Sequence, residues 1–537
     1  MTFELFGGYG SSCSLPGSTV TSLLLKGEPR VCLVTKSSAM IGLAVIVCVI
    51  ADASGQQAIT VADDVTCVEW TQSYDAGYTD GNGAYAGGSE IMHLVPHRGK
   101  LYAANGYWMD RRWTEPAYSQ KQSAQVLRLD SAEGRWEVDL DLGESNGRGL
   151  RYMKGSILKS VTFTRDRSGK PLPRPRNLLV MAAGAYTAEH GVVSCWVRDD
   201  TAGTRAKGDS PIFAPRKSGQ SPRRDDATGK WNHGIVKYGS RAGGTRWIPR
   251  DMEVYRDKVT GVERLFLLIG NPGIISGVYD PSRPTGIRWD AEVEFPETGT
   301  FSTRPLGMVE ANGSLLFSVG GVIYRRIDGP RPTYTEVIHL GGSVNTDVGG
   351  IRGLTTIANP HGPGQSVLFL WAPNGRSSTG QIKRLDPDGS GGYTAHDEAN
   401  LRDLMRGKLG VAVGFVLGAH SDMYPVVHPA TGQIVHLIGF QGNLRGSDHL
   451  KWQGSRLYAG AMYAVRTAEG DYTVHEVNGS YAPGKPVLVS PRTFARSPFG
   501  DGLIFVGGHD CSGVPSDEMA WIFKASLEVV LGLSGDR

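Results

Sequence analysis

Glu90, Arg148, Arg151, Asp251, Glu253, Arg304, Arg352, His420, Asp422 and Arg492 fall at matching points of a recurring pattern, where a first strand starts. Small or apolar residues would serve there for packing alone, so a ring of charge points to chemistry. Arginines converging from different strands create a field suited to carboxylate or sulfate, which a guanidinium grips bidentately. Arg304 and Arg492 are therefore expected to bind substrate, with Glu90 and Asp251 beside them. Arg352 is placed with the catalytic set, because neutralising a carboxylate stabilises the charge that develops when the α-proton leaves. His420, His509 and Tyr107 are the matching acid–base candidates. The competing expectation is that each arginine pairs with a neighbouring carboxylate and lines a wet channel.

The connections between second and third strands should reach the same edge as those strand starts. The longest, residues 105–118 (NGYWMDRRWTEPAY), carries Trp108 and Trp113, whose rings could stack on sugars. No nucleophile elbow, zinc-protease helix, phosphate loop or kinase signature is present, and no ligand spacing marks a metal centre. A metal-dependent hydrolase using Glu90, Asp251, Glu253, Asp422 and His420 has suitable ligand types but no supporting spacing and ranks last. Residues 386–392 (DPDGSGG) resemble a calcium loop that would hold a structural calcium. The Asp-Gly step there reads more strongly as a hairpin turn.

The elements that must position these groups repeat in fixed order: a first strand, a strongly apolar strand after a Gly-containing turn, then a strand ending in a polar hairpin. Examples of the second strand are LYAAN at 101–105, LFLLIG at 265–270, LLFSV at 315–319, VLFLW at 367–371 and LIFVGG at 503–508. Near-continuous apolar strands mean that both sheet faces are covered. Seven units recur at spacings of roughly 40–70 residues, the range of four-stranded blades. The expected fold class is therefore all-β, a seven-bladed β-propeller with four-stranded blades, rather than tandem β-sandwiches. Closure should come from a strand near residues 58–70 or from 527–531. Residues 201–245 read as a long inserted loop, and residues 396–408 as a short helix with Leu401, Leu404 and Met405 on one face.

Composition agrees: Gly 73 and Pro 29 in 537 residues suit many short strands joined by tight turns. A net charge of +3 with no long basic run gives no support to nucleic-acid binding. Residues 40–51 (MIGLAVIVCVIA) follow Lys36 and precede small residues, as in a signal-peptide core. This run is short for a stable membrane span, which needs about 20 apolar residues. The expected organisation is a leader over 1–53 and one domain over 54–537, secreted or periplasmic and monomeric. Cys67, Cys195 and Cys511 then remain, enough for one disulfide and one free thiol, with the pairing open.

His93, the segment 97–103 (HRGKLYA) and the aromatic stretch after it resemble the blades of secreted propeller polysaccharide lyases and related rhamnosidases. The resemblance implies a site at the channel mouth, where arginine neutralises a uronate carboxylate and Tyr or His handles protons. Ser89 and Glu90 stand where that pattern would carry paired histidines. Two functions are expected: a carbohydrate-active enzyme, in particular a lyase on an acidic polysaccharide, or a non-catalytic propeller that binds a glycan or a protein.

Overall fold

The computed structural model describes residues 18–22, 32–36, 69–107, 122–143, 151–186, 191–198, 200, 231–239, 248–270, 272–296, 305–341, 349–373, 378–445, 451–452, 455–458, 460–477, 489–509 and 518–533. The chain divides into two compact units, Met1–Val65 and Thr66–Arg537. In the first, Ser18–Ser22 pairs antiparallel with Cys32–Lys36. The signal-like run at 40–51 lies outside the described residues, as do Cys67 and Cys511. Cys195 is buried and free. No helix among the described residues is long and apolar enough to cross a membrane.

The larger unit is all-β. Its chain repeatedly lays down antiparallel meanders in which consecutive strands pair with each other. The first strands of successive runs are Glu90–His97, Ile157–Arg165, Pro249–Arg256, Pro305–Ala311, Gly350–Ala358, Val413–Gly418 (continued by Tyr424–Val427) and Ser490–Arg496. The last run takes its fourth strand from the other end of the unit, because Thr71–Asp75 pairs with Trp521–Ser526. Closure was expected from 58–70 or 527–531. The pairing strand starts at Thr71, and Leu527–Val530 forms a single helical turn.

Apolar side chains gather between the sheets rather than in one central core. Tyr102, Val126 and Leu140 of the first run pack with Leu158, Leu179 and Trp196 of the second. Ile157, Val180 and Val193 pack in turn with Met252, Leu265 and Ile275. The series ends with Tyr74, Phe505 and Ile522 of the last run against Ile91, Leu94 and Leu101 of the first. Each fully buried side chain of this size contributes about 1.5–3 kcal/mol, so stability resides in sheet-to-sheet contact.

Hydrogen bonds link successive runs in the same order, at or beside their first strands except for Ser318 on the second strand Ser314–Val319. His93 Nε2 donates to Ser156 O at 2.9 Å, and Lys159 Nζ to Met252 O at 2.9 Å. Met308 N donates to Asp251 Oδ2 at 2.8 Å, and Ser318 Oγ to Ile351 O at 3.0 Å. Met423 N donates to Thr355 Oγ1 at 2.8 Å, and Arg496 N to Tyr424 Oη at 2.7 Å. Leu94 N donates to Thr493 Oγ1 at 3.1 Å, which returns the series to its first member.

At the outer strands an ionic clip recurs between neighbouring runs. Asp139 accepts from Arg128 of its own run and from Arg198 and Trp231 of the next. Glu398 accepts from Arg384 of its own run and from Arg466 and Tyr472 of the next. Glu294 accepts in the same way from Arg326 and Tyr334. These carboxylates are buried but saturated with donors, the condition under which a buried charge is tolerated.

The expected helix is found at Leu401–Leu409, while residues 396–400 belong to the strand Tyr393–Asn400. Asn400 fixes its start by accepting from Arg402 N and Asp403 N, and Gly410 ends it in the left-handed region. Within the expected insertion, Trp231–Gly239 is a strand of the second run, and residues 201–230 lie outside the described ones. The segment 386–392 is a hairpin turn: Asp388 accepts from Ser390 N, Ser390 Oγ and Gly392 N. Asp386 is held by Arg384 and Ser366. Both acids are thus engaged by protein donors and do not fit a calcium ligand set. Among the described residues no group of three His, Cys, Asp or Glu could hold a metal ion.

Candidate functional site

Antiparallel pairing puts the start of each first strand beside the end of the second. Glu90 pairs with Gly106, Ser490 with His509 and Gly350 with Ala372. Several first strands also change register just after they start. The shift lies between Ile91 and His93, Pro249 and Asp251, Arg352 and Thr355, and Pro491 and Thr493. A bulge re-aims the extra residue's side chain, and here the extra residues include Arg250 and Arg492.

Glu90 is completely buried. Its Oε2 accepts from Arg492 Nη1 and its Oε1 lies 3.6 Å from Lys154 Nζ. Gly106 opposite makes the room, since a Cβ there would stand 2.9 Å from Glu90 Oε1. Burial pushes the Glu90 carboxyl upward, but Lys154, Arg492 and His509 outweigh it and hold the group below the usual carboxylate range. His509 ends the strand Leu503–His509 and pairs with Glu90 across the junction of the last and first runs.

His420 reaches the same place from a different run. It follows Ala419, a non-glycine residue at φ 48°, where an L-residue is strained. Gly353 locks that turn in place, because a Cβ on it would meet the Ala419 Cβ at 2.7 Å. Strain of this kind, held by its surroundings, clusters at functional positions. The His420 and His509 rings lie 6.2 Å apart, edge to face at 84°.

Both imidazoles are held neutral. Burial, then Arg492, pushes His509 down to about 3. Burial followed by Arg492, Arg352, His509 and Lys154 pushes His420 far below its ordinary value. His93, bonded to Ser156, is likewise pushed down to about 4 by burial. His420 Nε2, His509 Nδ1 and Arg492 Nε have no hydrogen-bond partner. Polar atoms buried in this condition call for a ligand or water.

Acids occupy the neighbouring part of the same edge. Lys159 Nζ donates to Glu253 at 2.6 Å and lies 4.0 Å from Asp251 Oδ1. Asp251 accepts from Met252 N and Met308 N, both at 2.8 Å. Burial raises the carboxyls of Asp251 and Asp422 against the pull of Lys159, so the two resist ionising together. Asp251 was expected to bind substrate; its bond from Met308 N also ties its run to the next.

Of the expected site residues, Glu90, Arg352, His420, Arg492 and His509 come together. Tyr107 does not join them: it is fully buried and its hydroxyl donates to Gln122 at 2.6 Å. A phenol enclosed in that way has no route to a substrate proton. Arg304 and Trp108 lie outside the described residues. Lys154, Lys159 and Arg250 were not anticipated. Only Arg250 carried a signal, since the Pro249-Arg250 pair repeats as Pro491-Arg492 at matching strand starts.

The arrangement is a cationic cluster around two uncharged imidazoles with unpartnered nitrogens, chemically suited to a carboxylate and to hydroxyls. No protein-family model and no curated sequence matches the chain. Among solved structures, a protein of unknown function from Dyadobacter fermentans is 10% identical, with a TM-score of 0.35, 85% of this chain covered and 99% of that one. AofleA from Arthrobotrys oligospora, in an arginine-mutant form, is also 10% identical at TM-score 0.35, covering 77% and 96%. The GH74 xyloglucanase from Xanthomonas campestris is 14% identical at TM-score 0.33, covering 86% of this chain and 62% of that chain. At TM-scores this low the likeness carries no argument, and the fold rests on the chain's own strand pairing.

Proposed function

We propose that residues 66–537 form a seven-bladed β-propeller that binds an acidic, uronate-containing glycan at the edge where the first strands start. The closed series of hydrogen bonds between successive runs and the apolar clusters shared by neighbouring sheets support the blade count. The convergence of Arg492, Arg352 and Lys154 on two neutral imidazoles with unpartnered nitrogens carries the functional reading. In it, the uronate carboxylate sits on the cations, and the imidazoles bond sugar hydroxyls as uncharged donors and acceptors.

A lyase is the second reading, favoured by the proximity of His420 and His509. One imidazole would take the proton α to the carboxylate. The electron pair left behind would form a double bond to the β-carbon, and the glycosidic oxygen would depart with that proton, handed on by the imidazolium just formed. One feature ranks this second: an imidazole pushed down to about 3 is a weak base at neutral pH.

Affinity electrophoresis of the full chain through gels of polygalacturonate, alginate or neutral dextran separates these outcomes. Retardation by the uronate gels alone, abolished in Arg492→Gln, is the expected result. A rise in the ultraviolet absorbance of unsaturated uronates would promote the lyase reading. Free migration in every gel would overturn both.

A further inference from the structure

We infer that this site takes up its anion together with a proton, and that the His420–His509 pair receives it; the inference rests on the acidic-glycan reading above. His509 is buried and His420 half-buried; their rings stand 6.2 Å apart, and each has one buried nitrogen without a protein partner. A buried N–H formed at either nitrogen would lack an acceptor, and leaving such a group unmade is favoured. An anion seated on Arg492 supplies both the missing acceptor and the missing negative charge.

The charges facing the pair come from every element around it. Arg492 and Lys154 act on both rings, Arg352 on His420, and Glu90 on His509. His93, close to the same Arg492 and Glu90 and to Lys159, is uncharged. Glu90 is the single anion in that set; Arg492 bonds its Oε2, and Lys154 Nζ stands 3.6 Å from its Oε1. Cations therefore outnumber anions around the imidazoles, which opposes their protonation along with burial. A carboxylate or sulfate arriving within about 4–6 Å reverses the electrostatic part of that opposition. The sign follows directly: the bound state holds more protons than the free state, so affinity rises as pH falls.

Calorimetric titration of the full chain with sodium sulfate and with trigalacturonate, at about pH 5.5 in two buffers of different ionisation enthalpy, reads the proton count. Sulfate does not titrate in this range, so any proton the buffer gives up on binding must be held by the protein. Uptake approaching one proton per site is expected, with affinity rising up to about tenfold per pH unit on acidification. The uptake should vanish in the His420→Gln/His509→Gln double variant, with circular dichroism confirming its fold. Binding with no proton uptake would overturn the inference and leave the glycan reading intact. Absence of binding by trigalacturonate at any pH would overturn both.

Discussion

Glu90 and Arg492 hold the candidate site at the junction of the first and last runs, and each is costly alone. Removing either leaves the other's charge in a buried position, which commonly costs about 3–5 kcal/mol. Glu90→Gln and Arg492→Gln should therefore each lower the urea midpoint, while the double variant should lose less than the sum of the two. A coupling above about 1 kcal/mol in that cycle is expected, and strict additivity would show that the pair does not act as a unit. Tyr107→Phe should leave glycan binding unchanged and cost about 1 kcal/mol of stability, because it removes the buried bond from the Tyr107 hydroxyl to Gln122. At this scale the sequence showed which residue types stood at strand starts, so Glu90, Arg352, His420 and Arg492 were legible. Lys154 and Lys159 were not, since a lone lysine at or just before the strand Ile157–Arg165 carries no periodic signal. Nor could spacing show that the Tyr107 hydroxyl is bonded to Gln122.

Elements were legible where apolar runs followed glycine turns; the expected LFLLIG segment falls on the strand Glu263–Ile269. The closing strand was placed too early because Thr71–Asp75 is polar and shows a mixed burial pattern rather than an apolar run. The helix was started too early because its apolar face specifies a period but no beginning; the Asn400 cap supplies that beginning. Bulges such as the one at Arg492 depend on the partner strand and leave no mark in a single strand's sequence. The repeated ionic clip makes a prediction at this scale. Glu398 bonds Arg384, Arg466 and Tyr472, and these donors outweigh burial to hold its carboxyl below the usual range. Glu398→Gln should cost about 3–5 kcal/mol in urea unfolding. Glu133→Gln, at the largely exposed partner of Lys524, should produce no measurable change. Equal effects at the two positions would refute a special role for the clip.

For the whole molecule, closure by Thr71–Asp75 ties residues from both ends of the larger unit into one sheet. A chain starting at Thr66 should unfold cooperatively, whereas one starting at Gly77 should lose that transition, as differential scanning calorimetry would show. Acid should be equally revealing. His93 and His436 are each pushed from the ordinary 6.5 down to about 4, and His509 to about 3, chiefly by burial. Below pH 6.5 the unfolded chain binds these protons and the folded chain does not, so stability falls as pH falls, down to about 3. Asp257 extends the loss: although burial opposes it, bonds from the Thr260 backbone and Arg326 bring it from 3.8 to about 2. The urea midpoint should drop steadily over that window, and a flat profile would contradict buried neutral histidines.

The comparison that bears most directly on the site is calorimetric: the affinity of trigalacturonate against that of neutral galactotriose, for the native chain and for Arg492→Lys. The acidic oligomer should bind and the neutral one should not. Replacing the guanidinium fork by a point charge should weaken binding about tenfold or more. Equal affinity for the two oligomers, or no effect of the substitution, would place glycan recognition, if any, somewhere other than the Glu90–Arg492 junction.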